Sequence, residues 1–209
     1  MTDPEQNSWL VWAQEIQALS QTGLAFSSSH YDTQRYRRLM EIASEIIAGN
    51  TLLSKEEIMQ TFLVQPGYAT VKVDVRGAVI RDGKILLVQE RVDEKWCMPG
   101  GWADVGDKPS EMVEREVREE SGLVVRAKKL VGIFDANRSG RPLDFFHAYK
   151  IIFLCDFERG TLQASEETIA ADFFAFDDLP DLSENRTNIN HLKEVLAHLN
   201  DETRPAHYD

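Results

Sequence analysis

Residues Gly100–Leu123 read GGWADVGDKPSEMVEREVREESGL. Within them Glu116, Glu119 and Glu120 fall at i, i+3 and i+4, so a helix carries all three on one face. Left alone, like charges at that spacing repel by roughly a few tenths of a kcal/mol per pair. A divalent cation reverses the sign, because hard ions such as Mg²⁺ take carboxylate oxygens as ligands. Just ahead lie Gly100, Gly101 and Gly106, residues that let backbone groups approach an ion or a phosphate closely. Pro109 and Ser110 supply helix start signals, and Gly122 is placed to close the helix. Met112, Val113 and Val117 give it an apolar side to anchor the acidic one. Arg115 stands four residues after Glu111 and beside Glu116, where it can tie the loop to the helix.

The stretch resembles the signature of the Nudix hydrolases, Gly-x5-Glu-x7-Arg-Glu-U-x-Glu-Glu-x-Gly-U with U aliphatic. Gly101, Arg115, Glu116, Val117, Glu119, Glu120, Gly122 and Leu123 stand in register with it. Asp107 occupies the position where the family has Glu; it keeps the charge on a side chain one methylene shorter. The resemblance implies an α/β fold, an α/β/α sandwich with a mixed sheet, over roughly residues 68–200. It also implies that the main-chain carbonyl of Gly100 joins Glu116, Glu119 and Glu120 as a ligand of Mg²⁺ or Mn²⁺. In related pyrophosphatases a glutamate from a later loop serves as base or extra ligand, and Glu167, then Glu166, are the matching candidates.

Composition bounds the alternatives. A hydrophobic content of 43% with 28% charged residues is that of a soluble globular protein. No run approaches the roughly 20 apolar residues of a membrane span. The opening MTDPEQNSWL lacks the basic start and apolar core of a secretory signal. Cys97 and Cys155 have no metal-ligand spacing and lie in apolar surroundings, which predicts buried thiols and a reducing, cytoplasmic setting. A net charge of −12 argues against a nucleic-acid surface, which needs clustered Lys and Arg. A small phosphorylated substrate remains compatible, because a bound cation supplies positive charge locally.

Two parts are expected: a helical amino-terminal domain over 1–66 and a catalytic domain over 67–209. Trp9, Trp12, Ala13, Ile16 and Leu19 form one apolar stripe, followed by a turn-like break at QTGLAFSSSHYD. A second helix opens at Asp32 and turns Tyr36, Leu39, Met40, Ala43, Ile46 and Ile47 inward, to Gly49-Asn50. A third follows Ser54-Lys55-Glu56-Glu57, a capping-box spacing. Such helices must pack on each other, on the rest of the chain or on a second subunit. Gln65-Pro66-Gly67 marks the boundary, and beyond it the period becomes two. Val71, Val73 and Val75 alternate with Lys72, Asp74 and Arg76, which predicts a half-buried strand. Arg81-Asp82-Gly83-Lys84 predicts a hairpin turn into Ile85–Val88. Further strands are expected over 124–134, 145–157 and 173–176, the first two joined through Asn137–Pro142, with a closing helix over 188–200 and a frayed tail after it.

Helices ahead of such a region, with Glu167-Thr168, Phe173-Phe174 and Asp178-Leu179-Pro180 behind it, resemble a subgroup acting on nucleoside diphosphates linked to another moiety. ADP-ribose and CDP-choline pyrophosphatases belong to it, and its homodimers suit helices with spare apolar surface. The implied reaction is divalent-metal-dependent hydrolysis of a diphosphate bond, giving a nucleoside monophosphate and a phosphorylated second product. Glu116, Glu119 and Glu120 are the expected ligands, Arg115 orients them, and Glu167 is the candidate base. Arg91, Arg138 and Lys150 are candidate phosphate contacts, and Trp96, Trp102 and Phe146 candidate stacking surfaces for a base. The five histidines form no pair at ligand spacing. Two other classes share the motif: a metabolite-binding sensor without turnover, which would not require a complete carboxylate cluster, and an RNA-end-trimming hydrolase, which the acidic balance disfavours.

Overall fold

The computed structural model describes residues 8–63, 67–136 and 147–209. They fall into two compact units, one of residues up to Val71 with His147, the other running from Lys72 to Asp209 without that residue. The expected Arg138, Phe146 and Asn137–Pro142 connection, and the Gln65-Pro66 part of the boundary, lie outside the described residues.

The first unit holds helices α1 (Ser8–Phe26), α2 (His30–Ala48) and α3 (Lys55–Leu63). Its core is Leu10, Ala13, Met40, Ala43, Ile47, Ile58 and Phe62. The Ser54 capping box forms: Glu57 N–H donates to Ser54 Oγ (3.3 Å) and Ser54 N–H to Glu57 Oε2 (2.8 Å). The break expected over Gln21–Asp32 narrows to Ser27–Ser29, because α1 runs on through Phe26 and α2 already starts at His30. Gly23 is a helix-packing residue rather than a turn residue: a Cβ there would overlap the Tyr36 ring of α2. The second helix consequently starts at His30 instead of Asp32, capped by Ser29, whose side chain accepts from Asp32 N–H. The stripe read as core also divides. Ala13 is buried, whereas Trp12 and Leu19 are 58% and 62% exposed.

The second unit is built on a mixed sheet. Strands β1 (Lys72–Arg81) and β2 (Lys84–Glu90) form the expected hairpin, with Ile80 opposite Ile85 and Arg81 opposite Lys84. Asp82 and Gly83 both have positive φ (53° and 74°), the geometry of a two-residue hairpin turn. There follow β3 (Trp96–Cys97), β4 (Gly100–Trp102), helix α4 (Pro109–Ser121), β5 (Leu123–Asp135), β6 (Ala148–Gly160), β7 (Thr168–Phe174), helix α5 (Ile189–Asn200) and β8 (His207–Tyr208). The order is β3-β2-β1-β6-β5-β8, with β4 paired to β1 and β7 to β2. The β1–β6 and β5–β8 pairs are parallel and the others antiparallel.

Helices cover both faces. Val75, Val79 and Leu86 pack with Met112, Val113 and Val117 of α4, and Ala78, Ile85 and Leu87 with Leu192 and Val195 of α5. This is the expected α/β/α sandwich, and it changes the reading of β1. A strand covered on both faces has no solvent side, so Asp74 and Arg76 are buried at 3% and 4% exposure. The tail is ordered rather than frayed. Arg204 pairs with Glu194 of α5 (2.6 Å), His207 stacks on Phe134, and β8 adds an edge to β5.

Candidate active site

The site grows from the junction of β4 and α4. Gly100 has φ 143°, and a Cβ there would fall on the Val75 carbonyl oxygen, so only glycine brings the chain this close to β1. Helix α4 begins with Pro109 in its first turn and ends at Gly122, whose φ of 77° and N–H to Arg118 carbonyl bond close it. Lys108 occupies the cap position without a side-chain bond. Met112, Val113 and Val117 bury the inner side of the helix, which fixes the rotation of the acidic side.

The three glutamates stand in different environments. Glu120 is buried at 5% exposure and accepts the Gly100 N–H at Oε2 (3.0 Å). Burial pushes its carboxyl up to about 8; Arg76 and the Gly100 N–H pull against the shift, while Glu90 and Glu116 add to it. Glu116 is raised as well, chiefly by burial, with Arg115 opposing and Glu119 and Glu167 adding to the rise. Its Oε2 lies 3.3 Å from where a Cβ on Gly101 would stand. Glu119 is 55% exposed, with Arg118 3.9 Å away. Among the described residues no three His, Cys, Asp or Glu side chains converge tightly enough to hold an ion as they stand.

Arg115 ties the loop to the helix. Its guanidinium makes two 3.0 Å bonds to Asp107 and one of 3.1 Å to Glu116. The shorter Asp107 therefore reaches its partner, and the Arg115 bonds hold its carboxyl below the ordinary range. Glu111, also considered for Arg115, pairs instead with Lys108 (2.7 Å).

The loop before β7 is drawn to the same place. Thr168 Oγ1 donates to the Glu120 carbonyl (2.9 Å), and Arg91 N–H donates to the Glu167 carbonyl (3.1 Å). Glu166 and Glu167 are exposed there, and Glu167 is near enough for its charge to act on Glu116. The Arg91 guanidinium donates to the main-chain carbonyls of Glu166 (3.0 Å), Ser165 and Thr168 (3.4 Å each), so it anchors that loop. Lys150, expected on phosphate, is a correction: it is 3% exposed with its ammonium 3.1 Å from Asp74, because β6 lies inside the sheet beside β1. Trp96 is likewise packing, edge-on to Phe174 at 4.7 Å, whereas Trp102 is 49% exposed on β4. Pattern reading missed Asp74, Arg76 and Glu90. The available signal was a charged pair alternating within a strand that a two-sided cover would bury.

The donor set suits a hard divalent cation: carboxylate oxygens beside a glycine turn, two of which burial disfavours as anions, a cost that a cation would offset. Both cysteines are buried, and burial pushes the Cys155 thiol up to about 12, so neither is a reactive nucleophile.

The chain is similar to known proteins over both of its units. A family model described as the NUDIX domain matches residues 71–198, and one described as a UDP-X-like, N-terminal oligomerisation domain matches residues 7–62. A Bacillus subtilis protein, named provisionally as an ADP-ribose pyrophosphatase, is 38% identical over 98% of each chain. The ADP-ribose pyrophosphatase of Methanocaldococcus jannaschii is 34% identical over 56% of this chain and 69% of its own. Among solved structures, a UDP-X diphosphatase is 31% identical with a TM-score of 0.63, covering 97% of this chain and 98% of its own. An ADP-ribose pyrophosphatase from Streptococcus suis is 37% identical with a TM-score of 0.60, over 67% of this chain and all of its own.

Proposed function

The chain belongs to the Nudix hydrolase family, and we propose that it cleaves the diphosphate bond of a nucleoside diphosphate joined to a second group. The products are a nucleoside monophosphate and a phosphorylated second moiety. ADP-ribose is the leading substrate, with CDP-choline next. The observation that carries this reading is the buried Glu120 carboxyl on the Gly100 N–H, beside a Glu116 held by the Arg115–Asp107 clamp.

Mg²⁺ or Mn²⁺ would be held by Glu116, Glu119, Glu120 and the Gly100 carbonyl, with the exposed Glu119 turning inward. When bound, such an ion polarises the phosphoryl group and lowers the pKa of its water. Arg115 keeps Glu116 oriented through its bonds to Asp107. Glu167, then Glu166, would take the proton from the attacking water, on a loop anchored by Arg91 and Thr168. Glu120 holds the Gly100 turn by accepting the Gly100 N–H at one carboxylate oxygen, which would leave the other for the ion.

We assign residues 1–66 to a helical domain for self-association and 67–209 to the hydrolase domain. Trp12, Leu19 and Phe26 recur every seven residues along α1 and are 58%, 62% and 72% exposed, an apolar seam suited to a second copy in a homodimer. Two buried free thiols fit a reducing, cytoplasmic setting.

The test is a panel of nucleoside diphosphate conjugates, ADP-ribose and CDP-choline among them, incubated with the protein and Mg²⁺ and resolved by chromatography. Release of monophosphate from one class supports the reading, and cleavage in labelled water identifies the phosphorus attacked. Tight nucleotide binding with no monophosphate in saturating Mg²⁺ would replace the hydrolase with a sensor.

A further inference from the structure

Behind the catalytic turn lies a charge cluster that the chemistry above does not use. Arg76 Nε and Nη2 donate to Asp74 Oδ1 (2.7 Å) and Oδ2 (2.9 Å), and Lys150 Nζ reaches the same Oδ2 at 3.1 Å. All three residues are 3–4% exposed. Asp74 is thus bonded by two cations, one beside it on β1 and one on the neighbouring strand β6. Burying such a group is seldom favourable for stability alone, since apolar residues of similar volume do as well or better. The buried cluster therefore points to positioning.

The remaining arm of Arg76 indicates what is positioned. Its Nη1 donates to the Met98 carbonyl (3.1 Å), on the turn that delivers Gly100. Met98 N–H donates to the buried Thr187 Oγ1 (2.9 Å), Gly77 N–H donates to the Pro99 carbonyl (2.8 Å), and Gly100 N–H meets Glu120 (3.0 Å). Arg76 is also the residue opposite Gly100 in the β1–β4 ladder. Both backbone polar groups of Met98 are thus bonded, the carbonyl to Arg76 and the N–H to Thr187.

We propose that Arg76, locked by Asp74 and Lys150, and Thr187 are positioning residues that hold the Met98–Gly100 turn at the spacing from Glu120 required to seat the cation. This rests on the hydrolase reading of the site. Arginine is required because its planar fork satisfies Asp74 with two nitrogens while a third is aimed at Met98. Lysine can retain the charge but cannot make both contacts.

The test is the Mn²⁺ dissociation constant, read from the spin resonance of free Mn²⁺, for wild type, Arg76→Lys, Thr187→Val and Thr187→Ser. Thermal melts and the kcat and KM of hydrolysis at saturating Mn²⁺ accompany it. Removing outer supports of a metal site costs about 10–100-fold in affinity. Arg76→Lys should weaken Mn²⁺ by that amount and lower kcat with little change in KM. Thr187→Val should move the same way by a smaller factor, and Thr187→Ser, which keeps the hydroxyl, should bind as wild type does. Folded Arg76→Lys with wild-type Mn²⁺ affinity overturns the proposal. If that variant does not fold, wild-type affinity in Thr187→Val overturns it equally. A wild-type protein that neither binds Mn²⁺ nor hydrolyses the panel overturns both this inference and the hydrolase reading, whereas an active wild type with unaltered variants overturns this one alone.

Discussion

Glu120 makes the metal-free protein sensitive to pH, with a sign that can be worked out. Its carboxyl stands at about 8 in the fold against an ordinary value of 4.5, because it is buried with incomplete compensation. A carboxyl raised by folding keeps its proton in the native state after the unfolded chain has lost it. The metal-free protein is therefore most stable below the unfolded value, loses stability as pH rises, and levels off above about 8. Each pH unit inside that window costs at most about 1.4 kcal/mol. Allowing for relaxation, raising pH from about 6 to about 8 in EDTA should cost about 2 kcal/mol, or roughly 4–8 °C in melting temperature for a unit of this size. Glu116, also raised, adds in the same direction. His198, lowered chiefly by burial, opposes, since its stabilisation is lost as pH falls. Comparison with Glu120→Gln isolates the one group, because glutamine keeps an acceptor for the Gly100 N–H and leaves Glu116 and His198 in place. Thermal melts at several pH values should give wild type the steeper decline, and Mg²⁺ should flatten it by holding the carboxylate ionised. Equal slopes for wild type and Glu120→Gln in EDTA would refute the reasoning.

Four further outcomes follow from the geometry. Asp107→Ala, which strips Arg115 of two 3.0 Å bonds, should lower kcat/KM by at least about tenfold. Asp107→Glu should stay within about tenfold of wild type, and a several-hundredfold loss would reveal a role for the short side chain beyond the clamp. Gly100→Ala places a Cβ on the Val75 carbonyl at a φ of 143°, so urea unfolding should register a loss of roughly 2–4 kcal/mol. A loss below about 1 kcal/mol would mean that β4 can retreat from β1. Leu19→Glu, placing a charge in the α1 seam, should shift the protein towards monomer in light scattering while leaving its helical signal intact. An unchanged assembly would move the interface elsewhere.

Local chemistry was legible in the sequence. The Ser54–Glu57 capping box, the Asp82-Gly83 turn, the Gly122 helix stop and the shared face of Glu116, Glu119 and Glu120 all depend on residues a few positions apart. Their energetics follow from spacing alone. Gly23 shows where such reading ends: the same residue type that ends a helix also lets two helices touch, and only Tyr36 of the neighbouring helix distinguishes the two. The same holds for Asp74, Arg76 and Lys150. Alternation along one strand specifies two faces but not what covers the second; in the fold Asp74 and Arg76 on β1 meet Lys150 on the neighbouring β6 and form a buried cluster bonded to Met98. Spacing determined which carboxylates share a face; which of them is desolvated, paired or free to turn was decided by partners distant in sequence, because burial is a property of the assembled fold.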